Sequence, residues 1–276
     1  MKQKILVTGA SGYVGARIYS DLKSDFDVVG VYNRTKLFPE LEQLDITDLS
    51  ATLAKVEQIK PDWIVHIAAD PNHTSCEADP EKAIKLNEGG TNNIAEAANK
   101  TGAKVVYISS VAAMTGVDLY GKTKRHGEKF IEDVKAGWAI LRPSLIVGFS
   151  PNTTNDRPFN RFLKALAGEA PAVYDNSWKF QPSYLGHISE VIAQIIKRNI
   201  TGEIIPITIP HLTTRYDLAK DILIPFGVEV SSKDAGDTTP VVEFDQAELK
   251  KLGLPVYTYD EMISRIVIET KKGLEI

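Results

Sequence analysis

Lys4-Ile-Leu-Val-Thr8-Gly9-Ala-Ser11-Gly12-Tyr-Val-Gly15 decides the fold of this chain. Ile5 to Val7 is a short apolar run and reads as a buried strand. Three glycines follow at three-residue spacing, and Val14, Ile18 and Leu22 then repeat as on one face of a helix. Strand, glycine turn and helix together make the phosphate-cradling start of a dinucleotide-binding βαβ unit. Gly9 would form the tight turn, Gly12 would let a pyrophosphate approach the backbone, and Gly15 would let the helix pack near the strand. The helix N-terminus would add free N–H groups and a partial positive charge. Gly9, Ser11, Gly12, Tyr13, Val14 and Gly15 are therefore the expected cofactor-binding residues of this stretch.

The rest of the chain is compatible with such a protein. Its 276 residues suffice for one large domain or two unequal ones. A net charge of -4 without a basic stripe argues against nucleic acid and acidic membranes as partners. The single cysteine, Cys76, rules out an intrachain disulfide and a cysteine-rich zinc site. The five histidines show no ligand spacing, so no metal is expected. The first strand begins too close to Met1 for a secretory leader, and no apolar run reaches the length of a membrane span, so the cytoplasm is the expected location.

Taken in order, Asp27 to Tyr32 reads as a second strand and ends in Asn33-Arg34. An acid at this point would select NAD through the ribose hydroxyls, whereas an arginine accommodates the phosphate of NADP. Asn33 and Arg34 without an acid predict NADP, with NAD as the alternative. Asp45, with Ile46, is a candidate for the adenine edge; Asp45 has the alternative of a helix cap, which Thr47 or Asp48 fits better. Trp63 to Ile67 reads as a strand running into the small residues Ala68 and Ala69, with His66 as a packed core histidine. Asp79-Pro80 caps a long helix through Asn87 to about Asn99. Ala103 to Ile108 is a strand ending in Ser109-Ser110, a helix covers about Tyr120 to Val134, and the strand Trp138 to Leu141 runs into Arg142-Pro143. Continuous apolar strands alternating with helices predict an α/β fold with a doubly wound parallel sheet, a Rossmann domain over residues 1–147. Residues 148–276 then form mainly a smaller α/β substrate lobe, with a helix at about 186–198 returning to the first domain. Strands at Ile204 to Ile209 and Val241 to Phe244 are expected in that remainder, and a ligand cleft between the lobes. Asn152, Asn160, Lys179 and Tyr184 are its candidate substrate contacts.

Tyr120-Gly-Lys-Thr-Lys124 carries the chemistry. Tyr120 and Lys124 share one helix face, one turn apart. Ser109 and Ser110 end a strand at the carboxyl edge of the sheet, where ligands of open α/β sheets bind. Hydride transfer to a carbonyl leaves negative charge on oxygen, which needs a proton. Tyr120 would donate it, the Lys124 ammonium would lower the phenol pKa, and Ser110 would hold the carbonyl oxygen. Arg125 and His126 read as surface or rim residues.

These motifs, with Leu44-Asp45, Ala68-Ala69, Asn87 and Leu141-Arg-Pro143, resemble the extended short-chain dehydrogenase/reductase family, NAD-dependent epimerase/dehydratase-like. Cys76-Glu77 before Pro80-Glu81, Gly127-Glu128 after the lysine, and the tail from Phe244-Asp245 to Leu252-Gly253 resemble its dTDP-4-dehydrorhamnose reductase branch. The resemblance implies NAD(P)-dependent reduction of a keto group on a nucleotide-linked sugar, or of a related small carbonyl substrate. It implies Ser110, Tyr120 and Lys124 as the catalytic set, adds Ala68, Ala69, Asn87, Ser109 and Pro143 to the cofactor contacts alongside Tyr120 and Lys124, and admits a homodimer. Two departures stand out: only nine residues separate Ser110 from Tyr120, and Thr74 replaces an aspartate usual in that branch. An epimerase on the same scaffold and a non-catalytic dinucleotide-binding regulatory subunit are the competing readings. A dehydratase is disfavoured, since Val111-Ala112-Ala113 offers no acid pair after Ser110.

Overall fold

Val, Ile and Leu dominate five short segments that fold as interior strands, because a parallel strand is buried on both faces. The computed structural model describes residues 2–275. Its strands β1 (Lys4–Thr8), β2 (Asp27–Tyr32), β3 (Glu42–Gln43), β4 (Trp63–His66), β5 (Lys104–Ile108) and β6 (Trp138–Arg142) join one more, Glu203–Pro206, in a seven-stranded sheet. The order is Glu203–Pro206, β6, β5, β4, β1, β2, β3, and every pair is parallel. The expected doubly wound parallel sheet is therefore present. Glu203–Pro206, expected in the second lobe, instead extends this sheet beside β6. Its apolar run completes the sheet on that side.

Helices α1 (Tyr13–Leu22), α2 (Leu49–Ile59), α3 (His73–Ala78), α4 (Pro80–Ile84), α5 (Gly90–Thr101), α6 (Ala112–Thr115) and α7 (Leu119–Glu132) connect the strands. Val56, Ile59, Ile94, Ala97, Ala98 and Ile131 bury against Leu6, Ile64, Val105 and Ile140 of the sheet. Full burial of each aliphatic side chain contributes about 1.5–3 kcal/mol. The long helix expected from Asp79 to Asn99 is interrupted. Asp79 does cap α4 by accepting the Lys82 amide, but Lys85–Gly89 forms a π turn before α5. From the start of α5 the Thr91 hydroxyl donates back to the Asn87 carbonyl in that turn at 2.6 Å. Such turns are frequent at functional sites.

The chain divides into two compact units, the first comprising residues up to Pro143 together with Val191–Pro206. The second holds Ser144–Glu190 and the described residues from Ile207 onward. It is built from two-stranded pairings: Ile146–Val147 with Ser183–Tyr184, Val173–Asp175 with Ser231–Lys233, and Lys179–Phe180 with Thr213–Thr214. Helices Pro158–Leu166, Arg215–Leu223, Ala247–Lys251 and Tyr259–Leu274 pack with them. Val241 to Phe244 is not a strand. The Gln181 side chain takes the place of a strand partner, donating to the Phe244 carbonyl and accepting its amide.

Gly9 lies at φ +69, a conformation that side-chain-bearing residues rarely adopt, and a Cβ on Gly15 would sit 2.1 Å from the Gly9 carbonyl oxygen. Gly15 thus answers to the turn backbone itself. Gly15→Ala should cost about 1–3 kcal/mol of stability by overpacking, measured as a lower urea midpoint; an unchanged midpoint would show that the turn can shift.

Candidate active site

All the strands of a parallel sheet end at one edge, and register assigns what meets there. Thr8 on β1 stands beside His66 on β4, and His66 beside Tyr107 on β5. His66 is fully buried, and burial pushes its pKa down to about 3. It is therefore neutral and carries one N–H. Its Nε2 meets Thr91 Oγ1 at 3.0 Å, and the Thr91 proton is already directed to the Asn87 carbonyl. His66 Nε2–H must therefore donate, and Nδ1 accepts from the Thr8 hydroxyl at 2.8 Å. Thr8 Oγ1 in turn accepts the Ile67 and Ala68 amides. One hydrogen-bonded chain thus ties the first strand, the loop after β4 and the π turn together, and His66 is a core residue as expected.

The glycine loop has the features of an anion cradle. Gly12 caps α1 with no side-chain hydrogen bond to the first turn. A glycine at this position contributes no side chain of its own, and the start of a helix favours an anion. Ser11 Oγ accepts the Leu37 amide at 3.2 Å, drawing the loop after β2 toward the glycine turn. Asn33 and Arg34 on that loop are exposed. Tyr13 is buried and Val14 half-buried. These residues fit a dinucleotide phosphate and an added ribose phosphate. Asp45 is exposed, and its carboxylate accepts both the amide and the hydroxyl of Thr47. The Thr47 amide, foremost, holds it below the usual carboxylate range. The cap of α2 is Asp48, which accepts the Ala51 amide. Ile46 is buried in the core, and its carbonyl accepts from Asn93.

Two expected cofactor contacts have other partners. Asn87 is buried; its Oδ1 accepts the Asp70 amide, and its Nδ2 donates to the Asp70 carbonyl and to Thr123 Oγ1. It pins the loop after Ala68 and Ala69 to α7. Ser109 Oγ donates to Glu128 Oε1 at 2.5 Å, and Arg142 forks onto the same carboxylate at 2.8 and 2.6 Å. Glu128, on the buried face of α7, thereby fixes the ends of β5 and β6. Reading Ser109 and Arg142 as strand-end residues gave no sign of this triad; Gly127-Glu128, eight residues beyond Tyr120, was the available signal. Pro143 follows Arg142, and its carbonyl accepts the Val111 amide.

Helix α7 carries the predicted chemistry. Asp118 caps it by accepting the Gly121 amide at 2.8 Å, and Glu77 accepts the Leu119 amide at 2.7 Å. Tyr120 is buried to 8 % exposure and packs with Cys76 and Ala83. Lys124 is buried, donates from Nζ to the Ile108 carbonyl at 2.6 Å, and lies 4.2 Å from the Tyr107 ring centroid. Ile108 is two residues before Ser110, whose Oγ accepts the Ala112 amide at 3.2 Å. Burial pushes Lys124 down to about 7, against the opposing pull of Glu128.

The short segment between Ser110 and Tyr120 folds as α6, closed by Gly116. Arg125, expected at the rim, binds this segment: its Nε donates to the Ala113 carbonyl at 2.7 Å and its Nη2 to that of Met114. His126 is exposed, as expected, and meets Glu88. In the second unit, Tyr184 is buried and donates to Glu269, and buried Asn160 donates to Asn152 and Asn155. These two candidate substrate contacts serve the unit's interior; Lys179 is exposed.

A parallel sheet with this glycine turn and a Tyr-x-x-x-Lys helix behind a strand-end serine defines an extended short-chain dehydrogenase/reductase. The chain belongs to the RmlD substrate binding domain family, whose model matches residues 3–245. It is 26% identical to methionine adenosyltransferase 2 subunit beta of Rattus norvegicus over 279 residues, covering 91% of this chain and 83% of the relative. It is also 26% identical to dTDP-4-dehydrorhamnose reductase of Aggregatibacter actinomycetemcomitans over 227 residues, 76% of this chain and 73% of that one. Among solved structures, dTDP-4-dehydrorhamnose reductase from Bacillus anthracis in complex with NADP superimposes with a TM-score of 0.83 at 22% identity, covering 98% and 99% of the two chains.

Two expectations follow. Glu128→Ala should cost about 3–5 kcal/mol, because it strands Arg142, whereas Ser109→Ala should cost about 1 kcal/mol; equal losses in urea denaturation would contradict the triad's hierarchy. Lys124 loses its proton near 7 in the folded protein and near 10.4 when unfolded. The unfolded chain binds more protons between these values, so stability should rise with pH across that window. Lys124→Met should remove this rise, read from denaturation at a series of pH values.

Proposed function

We propose that this chain is an NAD(P)-dependent oxidoreductase that reduces a keto group of a nucleotide-linked sugar, with NADP as its preferred cofactor. The observation that carries this reading is Lys124: a buried amine one turn beyond Tyr120, fastened to the Ile108 carbonyl just before Ser110. Burying an amine is costly, and a purely structural helix would favour an apolar residue there. When bound, a nicotinamide dinucleotide supplies the hydride. Gly9, Gly12 and Gly15, with the start of α1, hold its phosphates, and Arg34 takes a ribose phosphate. Ser110 donates to the carbonyl oxygen, and Tyr120 gives that oxygen its proton. Lys124 stabilises the phenolate left behind. Similarity to reductases of dTDP-4-dehydrorhamnose supports a nucleotide-linked sugar as substrate. The substrate-binding role falls to the second unit.

A second reading is a non-catalytic dinucleotide-binding subunit. One observation favours it: several relatives are named as the beta subunit of methionine adenosyltransferase 2. An epimerase on the same scaffold is the third. Fluorescence titration with NADPH and NADH, followed by assay of keto nucleotide sugars, separates them. NADPH should bind tighter than NADH, and Arg34→Ala should weaken NADPH by about tenfold while sparing NADH. Tyr120→Phe should lower turnover by about a hundredfold or more. Dinucleotide binding without reduction of any carbonyl would favour the subunit, and failure to bind either dinucleotide would sink all three readings.

A further inference from the structure

His73 was not among the residues expected to act. It is the first residue of α3, directly after its cap Asn72, and its side chain is 56% exposed. Its Nδ1 is hydrogen-bonded to Asp118 Oδ2, and its ring lies against Tyr120 with centroids 4.6 Å apart at 54°. Burial raises the Asp118 carboxyl, but the Gly121 amide and His73 hold it below the usual range. It is therefore ionised at neutral pH and can only accept, so His73 Nδ1 carries a proton and the variable proton sits on Nε2. Lys124, the other basic group near Tyr120, is only 2% exposed. The Tyr120 phenol thus has a buried amine on its own helix and a solvent-exposed imidazole against its ring.

We propose that His73, oriented by Asp118, is a positioning residue that returns a proton from solvent to Tyr120 after each turnover. The proposal rests on the reductase reading. Tyr120 Oη–H breaks as the substrate oxygen takes the proton. The phenolate oxygen then gains a proton as the His73 Nε2–H bond breaks, and neutral His73 takes a replacement from water. No oxidant or reductant is needed in this step. Other titratable groups border this arrangement. Glu77 and Cys76 lie on α3 itself, and Asp70 sits in the preceding loop, where its carboxylate accepts from Ser75. Asp79, Glu81 and Lys82 belong to the start of α4, which packs against α3.

The test uses the full chain. In wild type, NMR should find His73 protonated at Nδ1. Asp118→Asn, which retains a capping side chain, should weaken the preference of the His73 proton for Nδ1, and Tyr120→Phe should shift the His73 ring signals. With NADPH and a keto nucleotide sugar, His73→Ala should keep the single-turnover rate but lose about a hundredfold in steady-state rate at neutral pH, with partial recovery on adding imidazole. His73→Phe, which keeps a ring on Tyr120, should lose as much. His73 NMR signals unmoved by both Asp118→Asn and Tyr120→Phe overturn the proposal whatever the turnover. So does a steady-state rate of His73→Ala equal to wild type. Wild-type protein that binds NADPH yet reduces nothing overturns the reductase reading, and the coupling of His73 to Tyr120 is then decided by the NMR signals of the variants alone.

Discussion

A neutral histidine inside the sheet is the constraint on which the rest depends. His66 sits in a fully buried row, where a charge would be costly. Neutral, it has one donor and one acceptor, and both are used: Thr8 gives to it and it gives to Thr91. A second proton would face Nδ1–H against the Thr8 hydroxyl and break the sequence of donors. The chain therefore works in one direction only, and that direction fixes the Ala68 amide, the glycine strand and the π turn relative to each other. Asn87 extends the same logic from the π turn to Asp70 and Thr123.

Helix α7 is held from the opposite side by charge. Along its buried face Thr123, Lys124 and Glu128 each reach a different partner: Asn87, the Ile108 carbonyl, and the Ser109–Arg142 pair. Desolvation and attraction compete at Lys124. Burial wins over Glu128, because the guanidinium of Arg142 already claims both carboxylate oxygens. At the N-terminal end, Asp118, Glu77 and Arg125 fasten the helix start and the short loop before it. The loop's brevity is matched by a compact fold, α6, rather than by a missing wall.

The fold does not choose among reductase, epimerase and subunit, since one scaffold hosts all three. What distinguishes them is the chemistry kept at Tyr120, Lys124 and Ser110. Retention of an expensive buried amine weighs toward catalysis. Similarity to a subunit of another enzyme weighs the other way.

Apolar runs, the glycine spacing and Asp79-Pro80 were enough to predict the parallel sheet and most of its helices, and Tyr120-x-x-x-Lys124 was enough to place both side chains on one helix. These signals are local: strand burial, turn conformation and helix periodicity depend on residues close in sequence. The roles of Asn87 and Ser109, the Glu128–Arg142 triad and the His73–Asp118 pair were decided only in three dimensions. Each depends on partners far apart along the chain, 45 positions for His73 and Asp118. A buried polar atom takes whichever partner packing brings within reach, and no periodicity records that choice. The sequence by itself therefore determined the sheet and the residues expected at its edge; the tertiary structure decided which polar side chains support that edge.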